Sequence, residues 1–167
     1  MKFLPAENII YKTRLKPKEI IKRLADSIEP AKTFRFRLFG SNSAKAYEGQ
    51  INGQAFEIKR IINYRNSFLP RITGSIEQEY DGTTVKVKMR LHVLVLGFLC
   101  IWCCVVGFFC ISILSFIVRS REFSLPTLIP FGMLLFAYVL TLASFKYESK
   151  KSKKDFEAML ETEAIEE

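Results

Sequence analysis

The chain has 167 residues, of which 49% are hydrophobic, and its formal net charge is +8. Two uncharged apolar runs occupy about 53 residues, so the length leaves room for one small soluble domain and excludes several. All four cysteines lie in the first apolar run, which excludes the disulfide framework of a small secreted domain.

The N-terminal part of the chain begins with a short strand and an amphipathic helix. Residues 8–13 form the strand candidate, and nothing before them has the apolar core of a signal peptide. The helix begins at Pro17 and ends before Pro30. Its apolar residues recur at helical spacing, at Ile20, Ile21, Leu24 and Ile28. We expect this face to pack on a sheet.

From residue 34 to residue 91 the hydrophobic period is two, which indicates strands. Five strands follow from the alternation, at residues 34–38, 47–51, 55–62, 68–80 and 83–91. The dipeptides Asn52-Gly53 and Asp81-Gly82 predict type I′ hairpins between neighbouring strands. The expected fold class is α+β, with an antiparallel meander of about five to six strands and one covering helix.

The two apolar runs predict a two-span transmembrane helical hairpin. Residues 93–118 and 125–145 carry no charge. A helix of 26 residues reaches roughly 39 Å, which exceeds the ~30 Å of bilayer hydrocarbon, and the shorter run also suffices. The predicted division is a β-rich domain at residues 1–92, the hairpin at 93–145 and a charged tail at 146–167.

Charge predicts the orientation of the hairpin. The first 92 residues hold 18 Lys and Arg against 9 acids, and five lysines begin the tail, whereas the loop between the spans holds only two arginines. The positive-inside rule therefore places both termini in the cytoplasm, in a cell inner membrane. We expect the basic domain to meet the bilayer and its anionic headgroups, and not nucleic acid.

The tail is expected to continue the second span as a helix. It bears a short apolar stripe at Phe156, Met159 and Leu160. Two interpretations stay open, an anchor that follows the span or a helix that docks a partner.

Small residues of the first span share one helical face. Six small residues lie within an arc of roughly 140°, namely Gly97, Cys100, Cys103, Cys104, Gly107 and Cys110. Small residues let membrane helices approach closely. We expect this face to pack on the second span near Gly132, or on a second copy in a homo-oligomer. No histidine or carboxylate lies at that depth, so we expect no metal site and no cofactor.

One polar turn is the candidate ligand site. Its members are Arg60, Tyr64, Arg65, Asn66 and Arg71. Arginine forks with tyrosine and asparagine donors suit a phosphate, a lipid headgroup or a nucleotide. The competing interpretation is a structural turn capped by its asparagine, with solvated arginines.

Catalysis is not expected. The single histidine, His92, stands where the last strand meets the first span and is interpreted as a polar anchor. Glu77 and Glu79 share a strand face beside a lysine-rich strand, which predicts cross-strand ion pairs. No nucleophile–base arrangement can be assembled.

The whole chain resembles a group of small uncharacterised bacterial membrane proteins. The matching features are the turn at residues 63–70, Gly74-x-Ile76 and Pro130-Phe131-Gly132. The resemblance implies an N-terminal soluble β-rich domain and a C-terminal two-helix transmembrane hairpin, and it supplies no activity.

The expected function is non-enzymatic binding. The favoured hypothesis is a membrane-anchored sensor or scaffold whose basic domain engages an anionic ligand, a lipid headgroup or a partner. The alternatives are an oligomeric pore-forming or membrane-disrupting effector and an accessory subunit of a membrane complex.

Overall fold

The computed structural model describes residues 4–30, 45–64, 66–121, 124–162 and 164–166. The helices are α1 (Pro17–Ser27), α2 (Val93–Ser120) and α3 (Ile129–Leu160). The strands are β1 (Ala6–Thr13), β2 (Ile28–Pro30), β3 (Tyr47–Asn52), β4 (Ala55–Arg60), β5 (Arg71–Glu79), β6 (Gly82–Arg90) and β7 (Ala164–Glu166). The strand predicted at residues 34–38 lies outside the described residues.

The strands form one mixed sheet in the order β2-β3-β4-β5-β6-β1-β7. Strands β3 to β6 are the predicted antiparallel meander, and β1 pairs with β6. Only β2 and β3 pair in parallel among the described strands. The α+β class, the short covering helix and the two long apolar helices are therefore confirmed.

Both predicted hairpins form, but the type I′ turns are wrong. Type I′ needs a positive φ at both central residues. Asn52 pairs with Ala55, so the first loop is Gly53-Gln54, and only Gly53 has a positive φ, of 62°.

The second loop is also displaced by one residue from the predicted dipeptide. Glu79 pairs with Gly82, so Tyr80-Asp81 forms the loop, and neither of them has a positive φ. Burial sets both registers, because a one-residue slip would turn every apolar side chain to the open face of the sheet.

The two faces of the sheet differ in character. On the covered face the apolar side chains are buried, including Ile58, Ile72 and Met89. On the open face of β6, Lys86, Lys88 and Arg90 are exposed, as the alternation predicts. Lys86 Nζ lies 2.6 Å from Glu77 Oε2, which confirms a predicted cross-strand ion pair, and this contact lowers the pKa of Glu77.

Helix α3 is shared between the apolar hairpin and the core of the sheet domain. Its 32 residues reach about 48 Å without a break. The first half is apolar, and the second half lies on the covered face of the sheet. Six side chains of the second half are buried there, namely Phe145, Glu148, Ser149, Ser152, Phe156 and Leu160.

Phe156 is at the centre of that contact. Its ring centroid lies 5.9 Å from that of Phe56, 6.0 Å from that of Tyr11 and 6.1 Å from that of Tyr47. The apolar stripe of the tail therefore packs against the sheet of its own chain, which neither interpretation of the tail foresaw.

Helix α1 packs on the same face and holds the end of α3. Ile20 and Leu24 are buried, as the amphipathic pattern predicts. Arg23 Nη1 donates to the carbonyl oxygen of Met159 at 3.0 Å and to Glu161 Oε1 at 2.7 Å. These hydrogen bonds join α1 to the last turn of α3.

Helices α2 and α3 expose most of their apolar surface. Each is long and apolar enough to cross a membrane, with mean hydropathy of 2.8 and 2.0 in the most apolar windows. Only 11% of each window is buried inside the protein, so neither apolar window belongs to the core of the sheet domain. Hydroxyls such as Ser112 and Ser115 donate to carbonyl oxygens one turn earlier, which satisfies them without water.

The small-residue face of α2 is open at its glycines and buried at Cys110. The buried side chains of α2 are Val106 and Cys110, one helical turn apart. A Cβ added at Gly97, Gly107 or Gly132 would find no atom within 4 Å outside its own local helix. The three glycines therefore make no close contact, although Cys110 of the same face is buried, and packing of this face on the second span stays a prediction. Packing of this face against a second copy stays a prediction.

Candidate functional site

The predicted site residues are divided between the two faces of the sheet. Arg60 pairs in register with Tyr47 and lies on the covered face. Arg71 pairs in register with Lys59 and lies on the open face. Arg65 lies outside the described residues. The alternation of side chains along β4 and β5 therefore separates two arginines that are close in sequence.

On the covered face, Arg60 and Tyr47 share one carboxylate of α3. The Tyr47 hydroxyl donates to Asp155 Oδ2 at 2.8 Å. Arg60 Nη1 lies 3.2 Å from the same oxygen, as an ion pair without an aligned hydrogen bond. Burial is the main cause that raises the pKa of Tyr47, and the Asp155 hydrogen bond adds to it. This cluster joins the sheet to α3.

Tyr64 connects the turn to α3. Its hydroxyl donates to Glu148 Oε1, and its pKa is raised by burial first and by this hydrogen bond second. Glu148 itself is fully buried. Asn66 Oδ1 accepts from the Phe68 backbone N–H at 2.9 Å, which is the structural role that the capping interpretation assigned to it.

Two grooves flank the turn where the sheet meets the helices. One, of about 550 Å³, lies on the open face and is lined by Lys59, Arg71 and His92 among others. The other, of about 600 Å³, lies between the turn and α3 and is lined by Tyr64, Asn66 and Glu148 among others. Of the predicted residues, Arg71 thus lines one groove, Tyr64 and Asn66 line the other, and Arg60 lines neither of the two.

A row of three basic residues crosses the open face of the sheet, and two of them, Lys59 and Arg71, line the groove there. Arg90 on β6 is directly opposite Arg71 on β5, and Arg71 is directly opposite Lys59 on β4. We call these three residues the cationic row. Like charges placed directly opposite one another destabilise a sheet, so the row has a cost in folding free energy.

Two members of the cationic row have acidic neighbours within the chain. Arg71 contacts Glu57, and Lys59 Nζ lies 2.7 Å from Glu48 Oε1. Within the described ranges, Arg90 has no carboxylate at salt-bridge distance. It precedes α2 by two residues, Leu91 and His92. The row is therefore at the end of the sheet from which the apolar hairpin begins.

His92 has a local structural role. Its Nδ1 accepts from the Leu94 backbone N–H at 3.2 Å, so it caps the N-terminus of α2. The residues described include no group of three metal-ligating side chains. Cys100, Cys103 and Cys104 are exposed on the surface of α2.

Sequence reasoning missed Lys59, Arg90, Glu148 and Lys151. The alternation did turn Lys59 and Arg90 outward, but their alignment depends on the registers of two hairpins. Lys151 is one of the five lysines that begin the tail, and Glu148 lies between the first two of them. Their roles depend on the docking of α3 onto the sheet, for which the local sequence has no distinct signal.

Comparison of the chain with protein-family models, with curated proteins and with solved structures found no match.

Proposed function

We propose that this chain is a two-span protein of a bacterial cytoplasmic membrane, with both termini and the sheet in the cytoplasm. The length and exposure of the two apolar helices support the crossing. The charge difference between the loop and its flanks supports the orientation. The resemblance to small bacterial membrane proteins supports the assignment to bacteria.

The proposed activity is non-enzymatic binding of anionic lipid headgroups by the cationic row. The observation that carries it is the in-register alignment of Arg90, Arg71 and Lys59 beside the first turn of α2. A basic cluster immediately cytoplasmic of a transmembrane helix is a recognised attractor of anionic lipids.

Helix α3 makes such a protein suited to sensing or scaffolding. It is one unbroken helix whose first half would lie in lipid and whose second half is buried on the sheet. Lys153 Nζ lies 2.8 Å from Glu7 Oε2, and Ser149 Oγ donates to the same oxygen at 2.5 Å. A tilt of the hairpin would therefore move the sheet with it, and a partner held by the sheet would sense the bilayer.

The test is lipid selectivity of the full chain in bilayers. Spin-labelled phosphatidylglycerol should be immobilised by the protein in preference to spin-labelled phosphatidylcholine. Arg90→Gln should reduce this preference about fivefold, because one basic residue near an anionic surface contributes about 1 kcal/mol. Raised salt should reduce it as well.

Lys22→Gln is the matched control. Lys22 is exposed on α1, and the substitution removes the same charge away from the cationic row. Equal preference for the two lipids in the unaltered protein would contradict the proposal. An equal effect of Lys22→Gln and Arg90→Gln would contradict the assignment to the row.

An oligomeric membrane effector is the second candidate function. The observation that favours it is the open small-residue face of α2, where Gly97 and Gly107 have no neighbour that an added Cβ would meet. Native mass in detergent separates the candidates. A stable ring of several copies supports the effector, and a monomer that retains lipid supports the binding protein.

A further inference from the structure

The groove between the turn and α3 has a mixed lining. Its apolar members include Phe68, Leu140 and Ala143, and its polar members include Tyr64, Ser144 and Glu148. The groove holds about 600 Å³. A lining that offers both apolar and polar contacts suits an amphiphile.

The position of the groove along α3 matches the edge of a bilayer. Leu140 and Ala143 belong to the last turns of the uncharged run, and Lys146 is the first charged residue after it. In the proposed membrane orientation, this is the level at which hydrocarbon gives way to headgroups. The groove is therefore accessible to the headgroup of a lipid.

Glu148 brings an unused hydrogen-bond acceptor to this lining. Its side chain is fully buried, and Oε1 accepts from the Tyr64 hydroxyl. Oε2 is buried as well and has no hydrogen-bond partner in the described part of the chain. A buried carboxylate oxygen without a donor is costly, so a ligand that brings an N–H donor to it would be stabilised.

A cation stands at the rim of the same groove. Lys151 Nζ lies 4.2 Å from the ring centroid of Tyr147 and 5.7 Å from that of Tyr64, and both rings line the groove. Lys151 follows Glu148 by three residues, so the two side chains project from the same side of α3. The groove thus offers an anionic acceptor inside and a cationic donor at its edge.

We propose that this groove binds the phosphoethanolamine group of a lipid. The primary ammonium donates to Glu148 Oε2, and the phosphate lies against Lys151 Nζ. The phosphatidylglycerol headgroup brings only neutral hydroxyl donors together with a net negative charge, so the Glu148 carboxylate would repel it. A choline headgroup has the same net charge but no N–H, so it would leave Oε2 unpaired.

The test compares phosphatidylethanolamine with phosphatidylcholine in lipid nanodiscs that hold the full chain at a constant fraction of phosphatidylglycerol. Lipid that stays bound after extraction is identified by native mass spectrometry. We expect about tenfold more retained phosphatidylethanolamine than phosphatidylcholine, the effect of one hydrogen bond to a charged group. Equal retention of the two lipids by the unaltered protein would overturn the proposal, and this comparison needs no variant.

Variants locate the selectivity. Glu148→Gln keeps an acceptor for Tyr64 but replaces the carboxylate, so the preference for phosphatidylethanolamine should disappear. Lys151→Gln, at a half-buried rim position, should weaken retention without removing the preference for an N–H donor. Unchanged selectivity in a folded Glu148→Gln protein would overturn the assignment. If that variant does not fold, unchanged retention by Lys151→Gln would overturn it.

A second arm separates the whole lipid from its headgroup. Free phosphoethanolamine and free phosphocholine are added to the protein in phosphatidylcholine nanodiscs. Specific binding of free phosphoethanolamine means that the headgroup suffices, and binding of the lipid alone means that acyl chains contribute; either supports the proposal. Measurable binding of both free headgroups to the same extent would overturn it.

The cationic row serves as the independent control. Arg90 lies on the open face of the sheet, away from Glu148. Arg90→Gln should therefore leave the phosphatidylethanolamine preference unchanged. Absence of a phosphatidylglycerol preference in the unaltered protein, with the phosphatidylethanolamine preference present, would refute only the proposed function. The reverse result would refute only the ethanolamine site.

Discussion

The rings of Phe56 and Phe156 are stacked, with centroids 5.9 Å apart and an interplanar angle of 25°. Phe56 belongs to β4, and Phe156 belongs to the last turns of α3, beyond the apolar half of that helix. Their contact makes the helix that leaves the hairpin part of the hydrophobic core of the sheet.

Phe156→Ala should loosen the sheet. Removing a fully buried phenylalanine costs about 3–5 kcal/mol, because the cavity is only partly refilled. Hydrogen–deuterium exchange of β4 and β5 in detergent should accelerate about a hundredfold or more. Lys154→Ala, at an exposed position of the same helix, is the control. Unchanged protection in Phe156→Ala would show that α3 is not part of the core.

Gly74→Ala should destabilise the sheet through Phe56. An added Cβ would lie 2.3 Å from Phe56 Cζ, so the ring would have to leave its place between Gly74 and Phe156. We expect a loss of about 1–3 kcal/mol, which is typical of overpacking. Ser75→Ala, the next residue along β5, is the control.

A double variant checks the mechanism. Phe56→Leu reduces the cost of Gly74→Ala if the two side chains compete for one space, so the combined loss should be smaller than the sum of the two. Urea unfolding of the four proteins measures this coupling. If the losses in unfolding free energy of the two single variants add up in the double variant, Gly74→Ala destabilises the sheet through contacts other than Phe56.

The stability of the sheet should fall at alkaline pH because of Tyr47. Burial raises its pKa in the folded protein above the ordinary value of about 10. Below pH 10 the Tyr47 hydroxyl is protonated in both the folded and the unfolded protein, so the free energy of unfolding does not depend on it. Above it the unfolded chain loses the proton first, so the unfolding free energy falls by about 1.4 kcal/mol per pH unit.

Tyr47→Phe tests that pH dependence. Urea unfolding between pH 8 and pH 11 should show a shallower decline in this variant than in the unaltered protein. Tyr80→Phe, at an exposed turn position, should behave as the unaltered protein does. Identical pH profiles for Tyr47→Phe and the unaltered protein would refute the prediction.

Gly97→Leu and Gly107→Leu should leave the hairpin itself intact. Neither glycine has a neighbour that a Cβ would meet, so a larger side chain has space within the chain. Val106→Ala, at a buried position, should lower stability by about 1–2 kcal/mol. The midpoints of thermal unfolding of the three variants are compared in detergent. A marked loss of stability in either glycine variant would show that α3 packs against the glycine-bearing face of α2.

Much of the fold follows from local patterns, and the site does not. Alternation in residues 82–90 determines which side chains of β6 are buried. The sequence therefore predicted both the strand and which of its side chains face the core. The dipeptide Asn52-Gly53 identified a hairpin. The strand register that buries the apolar side chains places its loop one residue later, at Gly53-Gln54. Proximity in sequence grouped Arg60 with Arg71, whereas strand pairing places them on opposite faces.

The docking of α3 is the main feature that the sequence concealed. The sequence pattern of a short apolar stripe containing Phe156 is the same whether the stripe packs on a partner, on a bilayer or on the sheet of its own chain. Only the assembled covered face, with Phe56, Tyr11 and Tyr47 around one site, determines which surface it meets. Long-range contacts of this kind have no local signature.

Cysteine accessibility in intact cells tests the central claim most directly, that two apolar helices cross the membrane and α3 carries the sheet on its cytoplasmic side. In a chain with the four native cysteines replaced, Ser124→Cys in the loop and Ala158→Cys on the exposed side of α3 are treated with a membrane-impermeant maleimide. The account predicts labelling of position 124 in intact cells and of position 158 only after permeabilisation. Labelling of position 158 from outside, or release of the chain from membranes by alkaline carbonate, would contradict it.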